Sequence, residues 1–242
     1  MVKKITYYWN ILRTKVVEYQ WNRASANSTI DGLCLVFHHV NPNHVDTPQS
    51  CQCTPNSFVR IVEGVQEKGY TIISLEELQT ILAQNSNQKF AIITFDDVPS
   101  DMYEYAYPYL RERGIPFTVF ITTSYVGRKG FLSNEQLQTL NSDPLCTIGA
   151  HTLTHPLLRF HNDKKKEIID GGEELEKIIN KKVDFFAYPY GSLYSTDPKS
   201  IRMATSRYKY AFSTIDAELN DLTIRKPGFL PRKAISDISQ LK

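Results

Sequence analysis

The chain has 242 residues, 41% of them hydrophobic and 22% charged, a balance that argues against a disordered or fibrous protein and suffices for one ordinary core. Its 28 basic and 26 acidic side chains leave a formal net charge of +2, which gives no electrostatic footprint for nucleic acid. No stretch of about 18 apolar residues occurs, so no membrane-spanning helix is expected.

In chain order, residues 1–31 read as an N-terminal helical segment ahead of a domain over 32–242. Arg13, Lys15, Glu18 and Gln20 interrupt the apolar core that a secretory signal needs, so a cytoplasmic location is expected. Tyr7, Tyr8, Trp9, Ile11, Leu12 and Val16, with Lys3, Lys4, Arg13 and Lys15, suit an amphipathic helix in peripheral contact with a membrane. They suit equally a helix packed across a barrel.

Beyond residue 31, apolar β-branched and aromatic runs alternate with helical patterns, which is the signature of βα units and a largely parallel sheet. Strands are expected near 33–40, 70–73, 90–95, 117–122, 146–150, 184–188, 210–213 and 229–235. These runs predict an α/β fold, a distorted (β/α) barrel of about seven parallel strands in a single domain. Thr54-Pro55 supplies a capping hydroxyl and a proline at the first helical position, and Gly69 stops that helix. Ser74 to Glu77 is a capping box. A further helix over 164–180 contains Gly171-Gly172, each costing about 1 kcal/mol relative to alanine. Cys34 and Cys146 lie in apolar runs and Cys51-x-Cys53 in a polar loop. With no second cysteine pair, a four-sulfur zinc site is excluded, and all four read as structural.

In a parallel barrel, chemistry collects where strands end at their carboxyl side. The run Phe90 to Ile93 ends in Thr94-Phe95-Asp96-Asp97, two adjacent carboxylates that are costly to bury unless something positive lies between them. A metal ion would serve; helix capping by Asp97 is the plainer alternative. The run at 146–150 is followed by His151-Thr-Leu-Thr-His155, two imidazoles that one helical turn could aim at one ion, although Pro156 disfavours helical geometry there. Together one Asp and two His supply three ligands and leave a position open for water, as a catalytic metal requires.

Thr94-Phe95-Asp96-Asp97, the His151–His155 pair and Phe186-Ala187-Tyr188-Pro189-Tyr190-Gly191 resemble three successive motifs of the polysaccharide deacetylases, carbohydrate esterase family 4. The likeness runs from about Gly32 to Ile235. It implies a divalent metal, with zinc the usual ion, and hydrolysis of the acetamide of an N-acetylated glycan or amino sugar. Carried over, Asp97, His151 and His155 would bind the metal, Asp96 would be the general base, and Tyr190 would offer a backbone N–H to the oxyanion.

Three departures stand out. Val98 replaces the glycine that usually ends the first motif, and a β-branched residue is not expected at positive φ, so a different turn is expected. Ala187 stands where an arginine usually pairs with the base; Arg232 is the candidate replacement, a surface arginine in the last strand being the alternative. No histidine follows His161, so the usual late histidine is missing. Val36-Phe37-His38-His39-Val40 instead resembles the branch acting on poly-β-1,6-N-acetylglucosamine, in which the general acid comes from the start of the domain. That likeness makes His38 the acid, an imidazole being suited to trading protons near neutral pH; His39 points to the opposite face if the strand continues. These departures also motivate an alternative, a non-catalytic carbohydrate-binding relative that keeps barrel and metal. A phosphate-transfer enzyme using Asp96 as nucleophile fits less well, since no second acid follows two positions on and no Gly-rich phosphate loop is present.

Overall fold

β1 (Asp31–Phe37) pairs along its whole length with β3 (Lys89–Asp96), so the first long apolar run of the domain lies beside the run that ends in two aspartates. In the computed structural model the described residues are 2–47, 51–83 and 88–241, with side chains described from Tyr7 onward. The Lys3 and Lys4 side chains lie outside that description. The remaining strands are β2 (Thr71–Ile72), β4 (Phe117–Ile121), β5 (Cys146–Ala150), β6 (Phe185–Ala187) and β7 (Tyr210–Phe212). The order is β1-β3-β4-β5-β6-β7, with β2 also on β3, and every strand pairing is parallel. Helices α1 (Val2–Ser25), α2 (Pro55–Glu67), α3 (Leu75–Ala83), α4 (Tyr107–Glu112), α5 (Asn134–Ser142), α6 (Gly171–Ile179) and α7 (Pro198–Arg207) supply the other layer.

The expected eighth strand is not continuous. Leu230 bridges Phe212 of β7 and Lys233 bridges Leu35 of β1, so residues 230–233 span the gap between the first and last strands. Pro231 between them has no N–H to donate, which limits the ladder to one residue on each side. The barrel is distorted elsewhere too: β5 and β6 share the single pairing Ala150 with Phe186.

Alternation along the strands separates two cores. Cys34, Phe90, Ile92, Phe120, Ala187, Phe212 and Leu230 fill the interior. Leu33, Leu35, Phe37, Ala91, Ile93 and Phe95 face the helices. Because the period is 2, Thr94 and Asp96 follow Phe90 and Ile92 inward, while Phe95 packs under α2 against Phe58.

The helix signals act as ordinary caps. The Ser57 amide donates to Thr54 Oγ1 at 3.3 Å before Pro55, and Ser74 and Glu77 exchange reciprocal bonds ahead of α3. The segment from Lys164 breaks into a π-helical turn, Lys166–Asp170, followed by α6. A Cβ on Gly171 would lie 2.7 Å from the Leu153 amide nitrogen, and one on Gly172 would run into the Tyr208 hydroxyl. Gly171 therefore lets α6 approach the loop that carries His151 and His155, and Gly172 makes room for the Tyr208 hydroxyl, which offsets their poor helix propensity.

Trp21 anchors α1: its ring is buried, Lys226 Nζ lies 5.0 Å above it, and Asn220 Nδ2 donates to its carbonyl at 2.9 Å. Tyr8, Trp9, Leu12 and Tyr19 are exposed on the same helix. Among the described residues, no helix is long and apolar enough to cross a membrane. All four cysteines are buried thiols outside any disulfide, and burial pushes those of Cys34, Cys51 and Cys53 up to about 12.

Candidate metal and catalytic centre

At the end of β3 the buried Asp96 carboxylate meets Arg232, which is 0% exposed. Nη1 donates to Oδ1 at 2.7 Å and Nη2 to Oδ2 at 2.6 Å, a two-pronged charge-assisted pair. The rest of the guanidinium is also bonded: Nε donates to the Ser213 carbonyl at 2.9 Å and Nη1 to Thr94 Oγ1 at 3.1 Å, above the Phe120 ring. Burial alone would raise the Asp96 carboxyl. The Arg232 charge and its hydrogen bonds outweigh burial and hold it well below the usual carboxylate range.

The chain then turns sharply. Asp97 and Val98 both take positive φ, +59° and +54°, and the Val98 amide donates back to the Asp96 carbonyl at 2.6 Å. Val98 thus occupies the left-handed region not expected of a β-branched residue, and the turn keeps a shape that glycine would favour. Its side chain is buried in the outer core, where packing offsets the strain. The turn sends the Asp97 carboxylate over the barrel mouth, where Thr122 Oγ1 donates to Oδ1 at 3.1 Å.

His151 follows β5, in which a Cβ on Gly149 would collide with the Phe120 ring. Its Nδ1 donates to the Ala187 carbonyl at 2.8 Å, which leaves Nε2 as the nitrogen with a lone pair. That Nε2 is buried and has no hydrogen-bond partner. It lies 3.8 Å from Asp97 Oδ1 and 3.9 Å from Asp96 Oδ2. Burial pushes the His151 imidazole down to about 4, so it is neutral near pH 7.

No helical turn joins His151 to His155. Thr152 and His155 take φ of +69° and +61°, and the His155 amide donates to Thr152 Oγ1 at 3.0 Å. Pro156 explains the departure, since it disfavours the right-handed helical region for the residue before it. The loop is tied down by buried Glu167, which accepts from the Thr154 amide at 2.8 Å and its hydroxyl at 2.7 Å. His155 Nε2 ends 3.5 Å from Asp97 Oδ1.

One ligand atom each from Asp97, His151 and His155 lie within 4.8 Å of one another. A buried, unpartnered imidazole nitrogen aimed at carboxylates is costly by itself and is what a divalent cation would satisfy. The donor set therefore fits such an ion. Asp96, occupied by Arg232, stands beside it.

His38, two residues beyond Val36, lies within electrostatic reach of Asp96, Asp97, Arg232 and His155. Burial lowers its imidazole, against the pull of Asp96 and Asp97, and its Nδ1 is buried without a partner. His39 turns the other way, its Nδ1 donating to Asp101 at 2.8 Å. Tyr190 follows Pro189 with φ +60°, its ring 4.8 Å from that of His155 and 56% exposed. Its carbonyl accepts from Thr214 Oγ1 at 2.7 Å. The mouth thus gathers His38, Asp96, Asp97, His151, His155, Tyr190 and Arg232. Sequence reasoning overlooked Thr122 and the Ser213 carbonyl; Thr122 is a polar residue ending an apolar strand, a signal that was available.

Residues 83–211, more than half of the chain, match the polysaccharide deacetylase family. The chain belongs to that family. It is 30% identical over 166 residues to the poly-beta-1,6-N-acetyl-D-glucosamine N-deacetylase of Staphylococcus aureus (strain MSSA476), covering 60% of this chain and 54% of that protein. The chain spans about half the length of the curated relatives it matches. Among solved structures it resembles a Streptococcus pyogenes deacetylase, PplD, in complex with acetate, with TM-score 0.74, 22% identity, 88% of this chain and 96% of that one. It also resembles IcaB from Ammonifex degensii, with TM-score 0.68, 23% identity, 85% of this chain and 92% of that one. These likenesses establish a shared deacetylase fold. Within the family's third motif, Ala187 contributes a methyl to the interior core and its carbonyl to His151, while a guanidinium reaches Asp96 from Arg232 of the closing segment.

Proposed function

We propose that this chain is a metal-dependent hydrolase that removes N-acetyl groups from an N-acetylated amino sugar within a glycan. The observation that carries this reading is the convergence of Asp97, His151 and His155 beside an Asp96 carboxylate that Arg232 keeps ionised. Two imidazoles and a carboxylate are a donor set suited to zinc. A divalent cation held there would polarise the acetyl carbonyl and acidify water.

Asp96 accepts the proton of the attacking water: Arg232 fixes its orientation and keeps it in the ionised form that can take one. The Tyr190 amide, the first N–H after Pro189, faces the oxyanion that develops on the acetyl oxygen. As the carbon–nitrogen bond breaks, His38 passes a proton to the departing amine, leaving acetate and a free amino sugar. The exposed Tyr190 ring offers a face for the sugar. The name of the Staphylococcus aureus relative supports a β-1,6-linked N-acetylglucosamine chain as substrate.

The test is acetate release from β-1,6-linked N-acetylglucosamine oligomers by chelator-stripped protein before and after zinc is restored. Release that depends on zinc is expected. Zinc uptake at Asp97 with no acetate from any N-acetylated glycan would favour a carbohydrate-binding role.

A further inference from the structure

A second set of ligand-type side chains, His39, His44 and Asp101, lies apart from the catalytic centre. His39 Nδ1 donates to Asp101 Oδ2 at 2.8 Å, and the rings of His39 and His44 are 5.0 Å apart. One ligand atom from each of the three residues lies within 4.8 Å of the others. Local turn chemistry brings them together: the Asn43 amide donates to Asn41 Oδ1 at 2.9 Å and the His44 amide to the Asn41 carbonyl at 3.1 Å, which folds His44 back over His39. Asn41 Nδ2 also reaches Asp101 Oδ2, at 3.4 Å.

The hydrogen bond between His39 and Asp101 leaves the cluster incomplete. Asp101 is 8% exposed, and its Oδ1 is buried without a partner, as is His44 Nδ1. A carboxylate oxygen and an imidazole nitrogen buried unpaired in one cluster each carry a desolvation penalty, and one cation bound by both would remove both penalties. We propose that His39, His44 and Asp101 form a second divalent-cation site, with a zinc-type donor set of two imidazoles and one carboxylate.

The site links two loops of the catalytic mouth. His39 directly follows His38, and Asp101 lies four positions after Asp97, so an ion there ties the loop after β1 to the loop after β3. It acts as a clamp on the backbone that carries both residues, and its existence is independent of the deacetylase reading.

The test is zinc stoichiometry of the full chain, stripped with chelator and then titrated with zinc. Wild type is expected to take two equivalents and His44→Ala one. An Asp97→Ala, His155→Ala variant, whose second site is intact, is expected to take one. Cobalt in place of zinc should give visible absorption bands in that double variant, and adding His39→Gln to it should abolish them. A single wild-type equivalent that the Asp97→Ala, His155→Ala variant loses, no zinc in that variant whatever wild type takes, or two equivalents in both His44→Ala and His39→Gln would overturn the proposal, whereas a single equivalent kept by that variant and lost in His44→Ala would support it and count against the Asp97 site instead. The Asp97→Ala, His155→Ala measurement decides the matter even if His44→Ala fails to fold.

Discussion

Arg232, in the irregular segment that closes the barrel, holds both oxygens of Asp96, a residue 136 positions earlier at the end of β3. The pair is almost wholly buried, so neither charge has recourse to water. It joins the last part of the barrel to the residue proposed as the base.

Removing one partner should therefore cost more than the pair is worth. Arg232→Met leaves a buried carboxylate uncompensated and is expected to destabilise the protein by about 3–5 kcal/mol in urea unfolding. Arg232→Met combined with Asp96→Asn should recover part of that loss. Arg232→Lys should not restore activity, because an ammonium cannot reproduce the two-pronged contact. Wild-type stability in Arg232→Met would contradict the pairing.

Asp96 and Asp97 are adjacent in sequence and should fail differently. Asp97→Ala or His155→Ala should lose the catalytic metal and with it deacetylation. Asp96→Asn should keep that metal while kcat falls about 10²- to 10⁴-fold. It will also be less stable, since Arg232 loses its counter-charge, so turnover must be measured well below its melting temperature. Normal turnover in Asp96→Asn would rule it out as the base.

His38→Ala should lower kcat on an N-acetylated sugar about 10²- to 10⁴-fold with metal content unchanged. An activated aryl acetate has a leaving group that needs no proton, so its hydrolysis should suffer much less. An equal loss on both substrates would point to a positional role for His38 rather than proton delivery.

The buried His151 makes the metal-free protein sensitive to acid. Its folded-state value of about 4 lies below the ordinary 6.5, so between those limits the unfolded chain binds more protons. Stability should fall as pH drops from about 6.5 to about 4, by about 3 kcal/mol from this residue. Asp96 acts at lower pH: its carboxyl is depressed, so its contribution is lost only below the ordinary carboxylate range. Urea unfolding of metal-free wild type and His151→Gln at pH 7 and pH 4.5 checks this; equal pH dependence in both would contradict it. Zinc affinity should weaken in the same direction, because only neutral imidazole binds.

Much of this arrangement could be read before any coordinates. The parallel βα alternation is plain in the runs that become β1, β3, β4 and β5, because each is apolar through its middle and bounded by turn residues. The places of Asp96, Asp97 and His151 follow from the same rule, a polar group at the carboxyl end of a buried strand. The route to His155 was not legible: it depends on left-handed backbone at Thr152 and His155, residues that local preference does not place there. Val98 misled for the same reason, since its buried packing outweighs its conformational preference. The closing segment reads as a strand from its apolar residues, but Pro231 reduces it to two bridges. His39, His44 and Asp101 meet only because the turn at Asn41 folds the chain back, a contact that hydrophobic periodicity does not encode.

Zinc-edge anomalous diffraction from crystals of the zinc-loaded protein tests the central claim most directly. The account predicts a peak about 2.0–2.2 Å from a carboxylate oxygen of Asp97 and from Nε2 of both His151 and His155, with Asp96 still bound to Arg232. No peak at that position, or an ion there that Asp97 does not touch, would contradict it.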